Sequence, residues 1–299
     1  MNKINRRQFL LAGTAGLAGL SVAGKGMAGN IYSLANDVVV DKVKLGNTGL
    51  TVSRMAMGTG TRGYNRSSNQ TRAGMDHFKR MLNHAYERGI RFYDMADFYG
   101  SMPFVGESMK GLPRENITLL SKMLTYEDGS TMNEPVSQLL DRFRKEANTD
   151  YFDVILMHCM MQGNWSNTRK HYIDGLAKAK QDGIVKAVGI SSHHIDALKE
   201  AAESPWVDVI LARINPFGKN MDGDPDVVTP ILLKAIQNGK GVIGMKIFAE
   251  GECVSDQERE ESIRFSVTKK HVHCMTMGLE TEDQMDDAIE RVMRHANNN

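Results

Sequence analysis

The chain has 299 residues, of which 41% are hydrophobic and 24% charged, with a formal net charge of +1. This length suits one barrel-sized domain or two small ones, and the composition is that of an ordinary soluble globular protein. The charge is unevenly spread: residues 1–29 hold Lys3, Arg6, Arg7 and Lys25 and no acid, which leaves 33 basic against 36 acidic residues, a net of −3. A body of that sign has no bulk attraction for nucleic acid or anionic lipid.

The N-terminal stretch predicts targeting. Asn5-Arg6-Arg7-Gln8-Phe9-Leu10 is a twin-arginine pattern, Leu11 to Ala23 is moderately apolar and rich in Gly and Ala, and small residues follow around Gly26-Met27-Ala28. The apolar run is shorter than the roughly 20 residues that span a bilayer. Residues 1–29 are therefore expected to be a signal peptide read by the twin-arginine export machinery, giving a periplasmic or otherwise exported protein with no stable membrane insertion after processing. Residues 30–43 read as a linker and 44–296 as the folded body. Cys159, Cys253 and Cys274 have no metal-ligand spacing and cannot all pair. The methionines are dispersed through apolar runs, as core packing requires, rather than clustered for copper.

In chain order, the paired glycines and alternating apolar residues of Leu45–Ser53 predict a small hairpin. Arg54–Gly60 then reads as a first buried strand. Met75, Phe78, Met81, Leu82 and Ala85 recur at helical steps within 71–88, and Gly89 is a plausible stop. The alternation continues with strands at 91–94, 117–121, 152–157, 185–190, 207–212, 242–245 and 272–277. Helical patterns fall near 136–143, 167–182, 194–203, 227–238, 256–266 and 282–295. Eight short apolar strands alternating with helices predict an α/β fold, a (β/α)8 TIM barrel, whose sites lie at the carboxyl ends of the strands. The competitor is a doubly wound sheet with a dinucleotide fingerprint. Gly58-Thr59-Gly60-Thr61-Arg62-Gly63 fits G-x-G-x-x-G, but Tyr64–Asn69 is polar and turn-like where a helix must open. The barrel is the better reading.

Asp94, Lys122 and His158 each stand at the exit of a different strand, and Tyr99 lies just beyond the first. In a barrel these exits converge. A phenol has a reference pKa near 10, and a neighbouring ammonium lowers it, which would suit the Tyr to proton transfer near neutrality. Asp would hold the Lys, and His would orient a substrate oxygen. His193 and His194 are adjacent loop residues that do not face one metal together. His271 and His273 fall on one face of a half-exposed strand end, so no metal site is expected.

Over Lys44 to about Arg294 the sequence resembles the aldo-keto reductase family. Leu45–Ser53 is similar to its opening, Gly89–Gly100 to its Asp/Tyr signature and Asn148–His158 to the segment bearing its His. The resemblance implies that Tyr99 is the general acid, that Asp94 and Lys122 tune it, and that His158 places the carbonyl of a small aldehyde or ketone. It also implies a nicotinamide cofactor lying across the barrel mouth, held by Ser191, Ser192, Met245, Lys246 and Gly278. The cofactor side departs from the family: Ser192 replaces the usual Asn, Leu211 the Gln and Met245 the stacking aromatic, while Gly278–Gln284 replaces the Lys/Ser/Arg set that grips a 2′-phosphate. The family habit favours NADP, with Lys246 as phosphate partner; the acids Glu280, Glu282 and Asp283 make NAD the alternative. The departures also leave open a cofactor-sensing or partner-binding barrel with little turnover. An iron–sulfur member would need clustered cysteines near the C-terminus, and none follows Cys274.

Overall fold

The computed structural model describes residues 38–125 and 134–298. The segment read as a signal peptide lies outside the described residues. A short antiparallel hairpin comes first, β1 (Lys42–Lys44) against β2 (Thr51–Ser53), with Val43 opposite Val52. β1 thus occupies the end of the stretch read as linker.

Eight parallel strands then close into a barrel: β3 (Met55–Gly58), β4 (Phe92–Asp94), β5 (Thr118–Leu124), β6 (Phe152–Met160), β7 (Val185–Ser192), β8 (Val209–Arg213), β9 (Gly241–Met245) and β10 (Cys274–Met277). Closure is made by β10, which pairs with β9 on one side and places Met275 opposite Met55 of β3 on the other. Each strand matches an apolar run read in the sequence. Helices cover the outside. Among them α2 (Met75–Glu87) buries Phe78, Met81, Leu82 and Ala85, and α4 (Val136–Glu146) buries Val136, Leu139, Leu140 and Phe143, the residues whose spacing predicted them. The short helices α1 (Asn69–Arg72), α3 (Met102–Ser108) and α5 (Trp165–Thr168) have no such period. In α3, Pro103 occupies the first turn, where its missing N–H costs nothing.

Side chains alternate across each strand, so two cores form. Tyr93, Leu119, Ile155, Val188 and Ile210 pack outward against the helices, while Phe92, Leu120, Val154, Leu156, Ala187, Val209, Ile243 and Cys274 fill the barrel. Leu45 and Val52 of the hairpin join the inner set, and Asn47 N–H donates to Gly239 O at the foot of β9. The hairpin therefore seals the amino end, and access is from the carboxyl end. The same parity fixes the site. Asp94 follows Phe92, Lys122 follows Leu120 and His158 follows Leu156 by two residues, so each faces inward one step above the apolar filling.

His271 and His273 lie just before β10 rather than within it, at the end of the barrel opposite the mouth. His273 Nδ1 accepts from Val242 N–H at 3.0 Å. His271 is fully buried against the Phe265 ring, not half-exposed, and burial pushes its pKa down to about 4. Neither sits where an active-site metal would.

Candidate active site

Asp94 ends β4 and is 5% exposed; Lys122, within β5, is 1% exposed. Two opposite charges this far from water persist only if each neutralises the other and the remaining donors and acceptors are met. The two charges are paired, and each has one further partner. Lys122 Nζ donates to Asp94 Oδ1 and, at 2.9 Å, to Met95 O. Asp94 Oδ2 accepts from Thr276 Oγ1 of β10 at 3.0 Å. The Asp94 carbonyl accepts both the Thr59 amide and its hydroxyl, at 3.1 and 2.8 Å.

From β4 the chain enters a single 3₁₀ turn, Asp97–Tyr99, which ends at Gly100 in the left-handed region (φ 64°). The turn swings the Tyr99 ring over the barrel axis. Lys122 Nζ lies 4.9 Å from the ring centroid, and the His158 ring stands edge-on to it, centroids 5.6 Å apart. Tyr99 Oη and His158 Nε2 are 3.5 Å apart, a loose contact of the kind that tightens when a substrate oxygen arrives. Phe98 also meets the His158 ring edge-on, and the exposed Tyr64 packs on Phe98 at 5.2 Å, forming an aromatic rim. All four expected catalytic side chains are thus brought together.

The electrostatics differ from the sequence expectation in one respect. The Tyr99 pKa is raised rather than lowered: burial pushes the phenol well above its usual value, and Asp94 and then Cys159 add to the rise. Lys122 is held by Asp94 and Met95 O, so the phenol meets it across the ring face. Burial likewise pushes His158 well below its usual 6.5, assisted by Lys122, His193 and Lys246, and the imidazole is neutral. Site and solvent thus meet as a protonated phenol beside a neutral imidazole.

Tyr99, Lys122 and Asp94 open onto a cavity of about 920 Å³ that runs to the carboxyl ends of β9 and β10 and the start of α10 (Glu282–Ala296). Of the expected cofactor residues, Met245, Lys246 and Gly278 line it, together with Leu211. Ser191 and Ser192 do not. Ser191 Oγ accepts the Cys159 amide at 2.9 Å, and Ser192 Oγ donates to Asp222 Oδ2 at 2.6 Å; Asp222 is in turn bound by Arg213 Nε at 2.5 Å. Lys246 is ion-paired with Glu250. Burial, then Arg213, hold its pKa down. Glu280, Asp283 and Asp287 line the far arm beside Arg259, which pairs with Asp287 at 3.2 Å. The size of the cavity, its glycine-lined walls at Gly58, Gly60 and Gly278, and its mixed charges fit an elongated cofactor. Among the described residues no group of three His, Cys, Asp or Glu could hold a metal.

Sequence reasoning missed Thr276 and Thr59. The signal for Thr276 was a lone hydroxyl between Met275 and Met277 in a buried strand, where only a partnered polar group is tolerated. Cys159, which follows His158 in the sequence with nothing beside it to activate a thiolate, is a half-buried thiol in left-handed backbone (φ 56°) whose Sγ lies 3.8 Å from His193 Nε2. Burial pushes that thiol's pKa up.

The closed parallel barrel thus carries a Tyr, a Lys–Asp pair and a His at its carboxyl end, beside an elongated cavity. Residues 55–298 match the Aldo/keto reductase family, and the chain belongs to it. It is 28% identical over 216 residues to L-galactose dehydrogenase of Arabidopsis thaliana, covering 69% of this chain and 65% of that protein. It is 24% identical over 201 residues to the NADH-specific methylglyoxal reductase of Escherichia coli, covering 61% of each. The chain thus spans less than two thirds of the length of these curated relatives. The holo form of an aldo-keto reductase from Bacillus halodurans superposes with a TM-score of 0.67 at 20% identity, over 86% of this chain and 94% of that one, a likeness of fold.

Replacing Asp94 by Asn strands the Lys122 charge and is expected to cost about 3–5 kcal/mol of stability. The double replacement Asp94→Leu with Lys122→Met removes both charges and should cost under about 2 kcal/mol. Urea unfolding of the three proteins measures the difference.

Proposed function

We propose that this chain reduces an aldehyde or ketone with a nicotinamide cofactor, Tyr99 giving the proton, and that it does so after twin-arginine export. The observation that carries the chemistry is the half-buried Tyr99 phenol 3.5 Å from His158 Nε2, with the Asp94-paired Lys122 4.9 Å from its ring centroid, at the head of a cofactor-sized cavity. When bound, the cofactor supplies the hydride to the carbonyl carbon. The protein does the rest. His158 Nε2 and Tyr99 Oη together receive the carbonyl oxygen. As negative charge develops there, the Tyr99 proton passes to it. The Lys122 charge under the ring then stabilises the phenolate left behind. Asp94 and Thr276 keep Lys122 from turning toward solvent.

The cofactor that fits best is NADH rather than NADP(H). Lys246, the residue on which a 2′-phosphate would depend, is engaged by Glu250. Glu280 is fixed by Asn69 Nδ2 at 2.6 Å and shares the groove with Asp283 and Asp287. Carboxylates accept ribose hydroxyls and repel a phosphate. The first turn of α10 already carries Glu282 and Asp283, which occupy the helix dipole that would otherwise draw an anion. The Escherichia coli relative's stated NADH specificity agrees. The rival reading, a binding barrel with little turnover, draws on Ser192 being engaged by Asp222. Wild-type protein that binds NADH but turns over no aldehyde would select it.

Tyr99→Phe should lower kcat for aldehyde reduction by about 10²–10⁴, with the melting temperature unchanged. Because Tyr99 is pushed above 10 and His158 below 6.5, wild-type kcat should be level between these limits. It should fall only at higher pH, where the phenol loses its proton, or at lower pH, where the imidazole gains one. A pH–rate series over a panel of aldehydes tests both points. Fluorescence titration should show NADH binding at least about tenfold tighter than NADPH, about 1.4 kcal/mol. Glu280→Gln should narrow that gap. Changing Arg6 and Arg7 to Lys should leave the unprocessed protein in the cytoplasm, as read by cell fractionation.

A further inference from the structure

Gly58-Thr59-Gly60-Thr61-Arg62-Gly63 matches a dinucleotide fingerprint letter for letter, yet no helix opens behind it. The chain turns instead through a bridge between Tyr64 and Ser67. Its second and third glycines face a side chain, and that side chain is Tyr99. A Cβ on Gly63 would lie 2.5 Å from Tyr99 Cδ1, and one on Gly60 would overlap Cε2 and Cζ at the opposite edge of the ring. No other residue type leaves room for the ring where it stands. Lys122 Nζ and the edge-on His158 ring also pack against the same ring.

The glycine loop is itself held firmly against the turn that carries Tyr99. Gly63 N–H donates to Gly60 O at 2.9 Å, and Arg66 N–H donates to Phe98 O at 2.9 Å. The Arg66 guanidinium bonds Asp97 at 2.5 Å and Glu146 at 2.8 Å, and Arg142 bonds the other Asp97 oxygen at 2.8 Å. Gly100, in its left-handed conformation, passes directly against Arg66 O, where a Cβ would collide. Loop and turn are therefore tied together, with the Tyr99 ring seated between them.

We propose that Gly60 and Gly63 are positioning residues for carbonyl reduction: the fingerprint-like stretch is a side-chain-free cradle that sets the Tyr99 hydroxyl against His158 and the cavity. Neither glycine takes part in the chemistry. Their contribution is that they exclude nothing from the space the ring needs, while Lys122 and His158 pack against the same ring. A methyl group at Gly63 forces the ring out of this seat and displaces the hydroxyl from the place where the carbonyl oxygen arrives. A displacement of about 1 Å in a reacting group costs on the order of 10²-fold in rate.

The proposal rests on Tyr99 being the proton donor, and Tyr99→Phe alone decides that point. Gly63 does not line the cavity, so Gly63→Ala separates positioning from cofactor binding. The expected result is a fall in kcat of about 10–100-fold, with NADH affinity by fluorescence within about twofold of wild type and the melting temperature within a few degrees. In a Tyr99→Phe background the same glycine change should alter the residual rate by less than about twofold, because there is no longer a proton to place. The proposal is overturned if Gly63→Ala keeps kcat within about threefold of wild type. It is equally overturned if the loss is as large in the Tyr99→Phe background, or if cofactor affinity falls in step with kcat, since either makes the glycine a general structural residue. Should Gly63→Ala fail to fold, Gly60→Ala is taken through the same rate cycle, and an additive loss there overturns the proposal.

Discussion

Lys122 and Asp94 are both almost completely removed from water inside a barrel otherwise filled by Phe92, Leu120, Val154, Leu156 and Ile243. Such a pair is first of all a constraint on the fold. Each charge is tolerable only while the other is in contact, and every spare lone pair and proton must be met. Meeting them recruits Thr276 from β10 and the Met95 carbonyl, while Thr59 from beyond β3 bonds the Asp94 main-chain carbonyl, so the contacts tie together the part of the barrel where the first strand meets the last. The turn bearing Tyr99 leaves from the same point. The phenol therefore stands over a charge whose position is set before any ligand arrives, which is the arrangement that stabilises a developing anion with little reorganisation.

The remainder of the mouth grades away from that pair. On the β6–β8 side the groups are committed to one another: Cys159 to Ser191 and His193, and Ser192 to Asp222 and Arg213. On the β9–β10 side the cavity opens between Lys246, Arg259 and the carboxylates of Glu250, Glu280, Asp283 and Asp287. Two of the acids have their own partners, Glu280 in Asn69 and Asp287 in Arg291 and Arg259. A fixed carboxylate discriminates by charge, since it cannot swing aside. The hairpin at the amino end completes the arrangement by plugging the barrel with Leu45.

The barrel strands were legible because each is a short apolar run bounded by turn residues, and parallel strands covered on both faces have that composition. α2 and α4 were legible from their 3.6-residue spacing. α3 was not, because Met-Pro-Phe-Val-Gly-Glu-Ser has no clear period and contains two residues that usually interrupt helices. Its Pro is harmless only because it falls in the first turn, which sequence spacing does not reveal. His271 and His273 were placed in a strand that starts after them, since Val272 extends the apolar run by composition alone.

By itself, the sequence determined which residue types stand two positions beyond an inward-facing apolar residue at successive strand ends, and hence that Asp94, Lys122 and His158 would share one mouth with Tyr99. That follows from local pattern: alternation along a strand and the closure of eight such units. Tertiary structure alone decided what those groups are to one another. Whether Lys122 lowers the pKa of Tyr99 or burial raises it depends on depth and on Asp94 holding the ammonium. Whether Lys246 is open to a phosphate depends on Glu250, four residues away on a turn. Whether Gly60 and Gly63 cradle a phosphate or a phenol ring depends on Tyr99, more than thirty residues on. Charge, burial and contact are properties of distance in space, and a sequence fixes that distance only through the whole fold.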